Sequence, residues 1–309
     1  MLDPAVPEVG GRAPVSILYF SGVGGTEVAA RLLGRLAEPG TPCQVLSVED
    51  PRAAERAASP GLLVLCYPTY FLKPAPVMLD FLRSIPEGRG ERQAVLVTTY
   101  ELYTGDSNRR AALLLRDRGI PVVGSFALRA PGTDVTCVVP DRLCGWLYRF
   151  ERAFPRKAVR IARAIVNNAA APPASGRIPA PKWYTPLAWI LQVLALDGFI
   201  RFRDRITVLE DRCTSCGLCV RDCPRGAWRM TEEGSAHSGE LCDLCTRCVH
   251  RCPRKAIVLI PGLKDNRRLD AALYDKLQGE TLYACGELLE TEYLPGSTAG
   301  ILFETEDRP

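Results

Sequence analysis

A chain of 309 residues, 47% hydrophobic and 24% charged, has the composition of a globular protein of about two domains. Its 39 Lys and Arg against 35 Asp and Glu leave a formal charge of +4, and no basic arm or basic–aromatic stripe is present, which argues against nucleic acid. Thirteen cysteines without a basic, apolar leader argue for a reducing, cytoplasmic setting rather than a secreted disulfide framework.

Residues 1–14 are rich in Pro and Gly and are expected to form a disordered lead-in. A short apolar run, 15–20, then predicts a strand. It ends in Ser21, Gly22, Val23, Gly24, Gly25 and Thr26, and helical periodicity follows from Glu27. A strand, a Gly-rich turn and a helix can cradle an anion, because backbone N–H groups converge on the turn and the helix dipole adds to them. Gly-rich turns also serve purely steric ends, so the turn alone leaves both readings open. Further strands are predicted at 43–48, 61–66, 93–98 and 120–127, with helices at about 75–85, 106–119 and 147–169. This alternation predicts an α/β doubly wound parallel sheet over 15–171. Its ligand would lie at the carboxyl ends of the strands, where the turns 21–26, 67–76 and 98–105 leave the sheet.

Residues 172–204 open with a Pro-rich connector, which predicts a stiff spacer. They continue in an apolar stretch, 183–200, with Trp183, Tyr184, Trp189 and Phe199. Its longest apolar run is interrupted by Gln192 and Asp197 and is too short to span a bilayer, so it is expected to pack between domains and set their separation.

Eight of the cysteines fall in 205–262, as two copies of C-x2-C-x2-C-x3-C-P. The first copy is Cys213, Cys216, Cys219 and Cys223; the second is Cys242, Cys245, Cys248 and Cys252. Three thiolates two residues apart can wrap three corners of a [4Fe–4S] cubane, and the fourth reaches the other cluster. One cluster is therefore assigned to Cys213, Cys216, Cys219 and Cys252, the other to Cys242, Cys245, Cys248 and Cys223. Short strands are predicted at 208–211 and 256–260. Arg221, Arg225, Arg247, Arg251, Arg254 and Lys255 lie close to the ligands. They would raise the reduction potentials, offer a docking face to an acidic partner, or only balance charge.

Residues 263–309 form a C-terminal extension with a helix expected at 269–278 and no motif. Cys43, Cys66, Cys137, Cys144 and Cys285 are spare and read as small buried hydrophobes. Cys66, near the carboxyl end of a strand, is the better redox candidate among them. Of the two histidines, His237 and His250, the second is expected at the surface. No Ser-His-Asp or paired-carboxylate arrangement for hydrolysis is visible.

The turn 21–26, the residues Pro68, Thr69 and Tyr70 with the segment 74–78, and the two cysteine runs together resemble the flavodoxin–ferredoxin fusion family over about residues 15–262. The resemblance implies a flavodoxin-like domain at 15–171 and a small α+β two-cluster ferredoxin domain at 205–262. It also implies bound FMN. Ser21, Gly22, Gly24, Gly25 and Thr26 would then hold the phosphate, and Pro68, Thr69 and Tyr70 would lie against the ring. Thr98, Thr99, Tyr100 and Gly105 would face its edge. The turn departs from the flavodoxin pattern, where Thr-Gly-Asn stands in place of Val23, Gly24 and Gly25, so one hydroxyl and one amide are missing. The function implied is electron transfer between two [4Fe–4S] clusters and FMN, and on to a redox partner protein. An FMN-dependent reductase of a small molecule, or a ferredoxin with an empty flavodoxin-like docking domain, are the alternatives.

Overall fold

The computed structural model describes residues 15–88, 90–171, 175–184, 186, 190, 203–232 and 234–291. The expected lead-in at 1–14 and most of the apolar stretch 183–200 lie outside the described residues.

Five parallel strands form the main sheet: β1 (Val15–Tyr19), β2 (Cys43–Ser47), β3 (Gly61–Tyr70), β5 (Arg92–Tyr100) and β6 (Val122–Arg129). They are ordered β2-β1-β3-β5-β6, and β4 (Lys73–Pro74) adds antiparallel to the end of β3. The strands are continuous apolar runs because both faces are covered. Ile17, Val64, Val95 and Val97 pack towards α1 (Gly25–Ala37) and α7 (Phe154–Ala170). On the opposite face Leu18, Leu63, Leu65 and Leu96 meet α2 (Ala53–Ala58), α3 (Pro76–Ser84) and α4 (Ser107–Arg116). This is the flavodoxin-like strand order, whose switch point lies between β1 and β3.

Three expectations needed correction. The segment 67–70 is not a turn: β3 runs on through Tyr70, because Tyr67 pairs with Thr98 and Pro68 with Thr99 on the equally extended β5. The reversal falls at Phe71 and Leu72, both with positive φ, a conformation bulky residues rarely adopt. The helix expected from 147 starts at Phe154 instead. Residues 135–148 are broken into α5 (Val135–Val138), α6 (Asp141–Cys144) and a 3-10 turn, with Pro155 opening α7. The Pro-rich connector does not stand free as a spacer. Arg177 N–H donates to Val122 O at 2.9 Å, and Arg109 Nη1 donates to Pro179 O at 3.0 Å, so the connector lies along the sheet edge and α4.

The cysteine-rich region is a small α+β unit. β7 (Thr207–Val208) pairs antiparallel with β10 (Ile257–Val258), both shorter than expected. An unforeseen hairpin joins β8 (Trp228–Thr231) to β9 (Gly234–His237). The short helices α8 (Leu218–Arg221) and α9 (Arg247–Arg251) each carry the third cysteine of a run. The chain then returns to the sheet. α10 (Ala271–Thr291), twice the expected length, lies on α1 and α7 and buries Cys285 beside Leu282, Leu288 and Leu289. Among the described residues no helix is long and apolar enough to cross a membrane.

The α7 face anchors this returning helix. Phe154, fully buried and 4.2 Å from the Phe150 ring, is its largest core side chain. Phe154→Ala should lower stability by about 3–5 kcal/mol, read as a lower denaturation midpoint at unchanged slope.

Candidate cofactor sites

The carboxyl end of the sheet and the cysteine-rich region together enclose a cavity of about 630 Å³, a size suited to an organic cofactor. Of the sequence candidates, Ser21, Gly22, Gly25, Thr26, Pro68, Thr69, Tyr70, Thr99 and Tyr100 line it. Gly24, Thr98 and Gly105 do not. The Thr98 hydroxyl is spent inside the sheet, 2.9 Å from Thr69 Oγ1 and 3.3 Å from Tyr67 O. Gly105, at φ +53°, packs on Leu72, where a Cβ would fall 2.5 Å from a side-chain atom.

Within the expected turn 98–105, Glu101, Leu102 and Tyr103 also line the cavity. Sequence reasoning missed two parts of the wall, the first being Pro131, Thr133 and Asp134 after β6. The rule that ligands lie at strand ends pointed to this second loop, although it carries no motif. Leu244 and Leu259 come from the cysteine-rich region, and nothing local marked them.

The polar groups of the cavity are arranged for an anion. α1 has no side-chain cap at Gly24, so N–H groups of its first turn are open to a ligand, although that of Gly25 faces the Tyr274 hydroxyl. Ser21 Oγ is buried and has no hydrogen-bond partner. Thr26 Oγ1 lies 2.7 Å from Thr99 Oγ1, tying the turn to β5. With Tyr70, Tyr100 and Tyr103 on the walls, these residues fit a flat aromatic cofactor carrying a phosphate. Glu101 is distinctive. Burial and then the neighbouring Asp134 carboxylate raise its acid from 4.5 to about 10, so it holds a proton in the cavity wall at neutral pH.

The two cysteine runs have matching backbones. Ser215 and Leu244 have positive φ two residues after the first cysteine, as do Gly217 and Thr246 one residue after the second, and Gly226 and Lys255 three after the fourth. Each run thus coils tightly enough to turn successive thiols inwards. Cys213, Cys216, Cys219 and Cys252 line one cavity, together with Cys248. Cys223 lies near enough to Cys242, Cys245 and Cys248 that its charge adds to burial in raising their thiol pKa values. Each of these two groups thus mixes cysteines of both runs. All eight thiols are free of disulfides. Burial pushes the Cys245 thiol up to about 12, so a thiolate there needs a positive partner such as cluster iron. Amide N–H groups of Ala227, Leu244 and Ala256 donate to Cys223, Cys242 and Cys252 Sγ at 3.2–3.3 Å, a contact that tunes cluster potentials.

The second run is docked on the phosphate-type turn itself. A Cβ on Gly22 would fall 2.9 Å from Cys245 O and 2.3 Å from the Tyr70 hydroxyl, so only glycine fits there. Arg247, between Cys245 and Cys248, is the tie. Its Nε donates to Gly22 O at 2.8 Å, and Nη2 donates to Ser21 O at 2.7 Å. Both Nη atoms donate to the Glu49 carboxylate, and Nη1 also donates to Asp222 O. All five N–H donors of the guanidinium are thus used. It is not part of a docking face; Arg225 and Arg251 are likewise engaged, with Asp80 and Asp243, and with Asp222. His250 is also not at the surface. It is 2% exposed, donates from Nε2 to Thr133 O at 2.8 Å, and accepts from Leu269 N–H on Nδ1 at 3.1 Å. Cys66 is a fully buried core residue whose thiol is pushed up by burial, which removes it as a redox candidate.

Two predictions follow from the charges. Arg247→Met leaves the turn carbonyls and Glu49 without their partner. Because Glu49 is one-third exposed, the loss should fall near the lower end of about 3–5 kcal/mol. It should show as proteolytic opening of the cysteine-rich region before the sheet unfolds. For Glu101, the folded acid keeps a proton that the unfolded chain releases above about pH 4.5, so its stabilisation is full below that pH and fades towards about pH 10. In flavin-free protein, Glu101→Gln should therefore flatten the decline in denaturation midpoint across that range.

A family model for the 4Fe-4S dicluster domain matches residues 209–257. No curated protein matches the chain. Among solved structures, a flavodoxin from the domain Archaea is 19% identical, with 49% of this chain and 98% of that chain covered and a TM-score of 0.34. Two-electron reduced Megasphaera elsdenii flavodoxin is 20% identical, with 37% and 84% covered and a TM-score of 0.32. Rubredoxin oxygen:oxidoreductase from Desulfovibrio gigas is 18% identical, with 52% of this chain but only 37% of that protein covered and a TM-score of 0.39. The chain thus joins a flavodoxin-like parallel sheet to a region that matches a 4Fe-4S dicluster domain.

Proposed function

We propose that the protein is an electron-transfer iron–sulfur flavoprotein, with two [4Fe–4S] clusters and one FMN, that passes single electrons on to or from a redox partner protein. The observation that carries this reading is the shared wall. The cavity that fits a flavin is closed by Leu244, from the Cys242–Cys245 loop, and the turn below it touches Cys245. When bound, FMN supplies a centre that exchanges one or two electrons, and each cubane exchanges one.

The chain's own residues hold that arrangement. Cys213, Cys216, Cys219 and Cys252 would hold the outer cluster, where Cys216 is exposed and accessible to a partner. Cys242, Cys245, Cys248 and Cys223 would hold the inner one, against the cavity. The 21–26 turn would bind the phosphate, and Tyr70 and Tyr100 would flank the ring. Phe71 and Val138 pack with Leu244, Val249 and Leu259, an apolar cluster that joins the cavity wall to the cysteine-rich region. Arg247 fixes the spacing.

Glu101 favours a second reading, an FMN-dependent reductase fed by the clusters. A carboxyl that stays protonated in the cavity wall can give its proton to a small molecule being reduced. Reconstituted protein should contain about eight irons and one flavin per chain, with FMN released on acid denaturation. An extract without flavin would instead support a ferredoxin with an empty docking domain. Reoxidation of the reduced protein by a small molecule, without a partner protein, would favour the reductase.

A further inference from the structure

The 21–26 turn lacks a hydroxyl at Val23 and an amide at Gly25, yet a hydroxyl from the far end of the chain reaches it. Tyr274 stands in the first turn of α10. Its ring lies against Gly24, where a Cβ would fall 2.5 Å from Cδ2 and 2.7 Å from Cε2. Its hydroxyl points on to Gly25, 3.5 Å from where that residue's Cβ would stand, and Gly25 lines the cavity. Gly24 therefore leaves the room that the tyrosine ring fills.

Tyr274 is 5% exposed, and its hydroxyl has no hydrogen-bond partner. The Gly25 N–H that faces it is itself a donor, and its apolar neighbours, Val23, Val28, Leu273 and Leu277, provide no acceptor for its proton. A buried donor without an acceptor is unfavourable, and native proteins rarely leave one so. Ser21 Oγ, in the same turn, is the second such hydroxyl. Two unpaired hydroxyls and the uncapped N-terminus of a 13-residue helix thus meet at one turn. An acceptor with several oxygens, such as a phosphate, satisfies them together. Burial keeps the phenol protonated at neutral pH, so it acts as a donor.

We propose that Tyr274 is a flavin-phosphate ligand that replaces one of the two donors missing at Val23 and Gly25, making the C-terminal helix part of the flavin site. This rests on the FMN reading above. It also accounts for the return of the chain to the sheet after the cysteine-rich region: the phosphate site is incomplete without α10.

The test uses cluster-loaded, flavin-free protein titrated with FMN and with riboflavin, which lacks the phosphate. Wild type should prefer FMN. Tyr274→Phe keeps the ring packed on Gly24 and should weaken FMN about tenfold while riboflavin binding is unchanged. Adding Val23→Thr to that variant should recover part of the FMN preference. A Tyr274→Phe protein that binds FMN as wild type does, or loses both flavins equally, overturns the assignment. Wild type that binds both flavins with equal affinity overturns the phosphate role but leaves a flavin site. Wild type that binds neither overturns the FMN reading itself, and this inference with it.

Discussion

The two halves of this molecule meet around one buried cation. The Arg247 guanidinium uses all five donors on three segments: the β1–α1 turn, Glu49 and Asp222. It also lies 5.6 Å from the Phe20 ring centroid. Removing such a charge from water is unfavourable, and only a complete set of partners offsets it. That requirement gives the interface its specificity. A shifted docking would keep the apolar contacts but leave the guanidinium short of acceptors. The same residue lies between Cys245 and Cys248, so the geometry it enforces is that of the second cysteine run against the Gly-rich turn.

Around that tie, the chain is threaded twice through the sheet domain. The connector 175–184 runs back along β6 and α4, and α10 returns to cover α1 and α7. His250 bridges these excursions, joining Thr133 at the cavity loop to Leu269 just before α10. The cysteine-rich region is therefore held at both ends as well as at its centre. A freely tethered carrier would trade such rigidity for reach; this arrangement favours a fixed distance over encounter. The spacing is set by packed side chains rather than by a proline spacer.

Much of this architecture was legible in the sequence where the determining pattern is local. Apolar runs bounded by Gly and Pro marked the five parallel strands, and the repeated cysteine spacing marked the region that matches a 4Fe-4S dicluster domain, because both are properties of a few adjacent residues. What escaped was fixed by partners far along the chain. Residues 67–70 and 98–100 look like turns, with Pro68 and several hydroxyls, and are extended only because each pairs with the other. The burial of Arg247 and His250 follows from acceptors more than a hundred positions away. Tyr274 lay in a segment without a motif, and the departure at Val23 and Gly25 was readable while its compensation was not.

The central claim is that the inner cluster and the flavin form one fixed pair within a single chain. Its most direct test mixes the fully loaded, oxidised protein rapidly with a one-electron donor and follows cluster and flavin absorbance together. The account predicts that flavin reduction follows cluster reduction at a rate independent of protein concentration. A rate that rises with protein concentration, or a flavin that stays oxidised while the clusters are reduced at potentials where it accepts electrons, would contradict it.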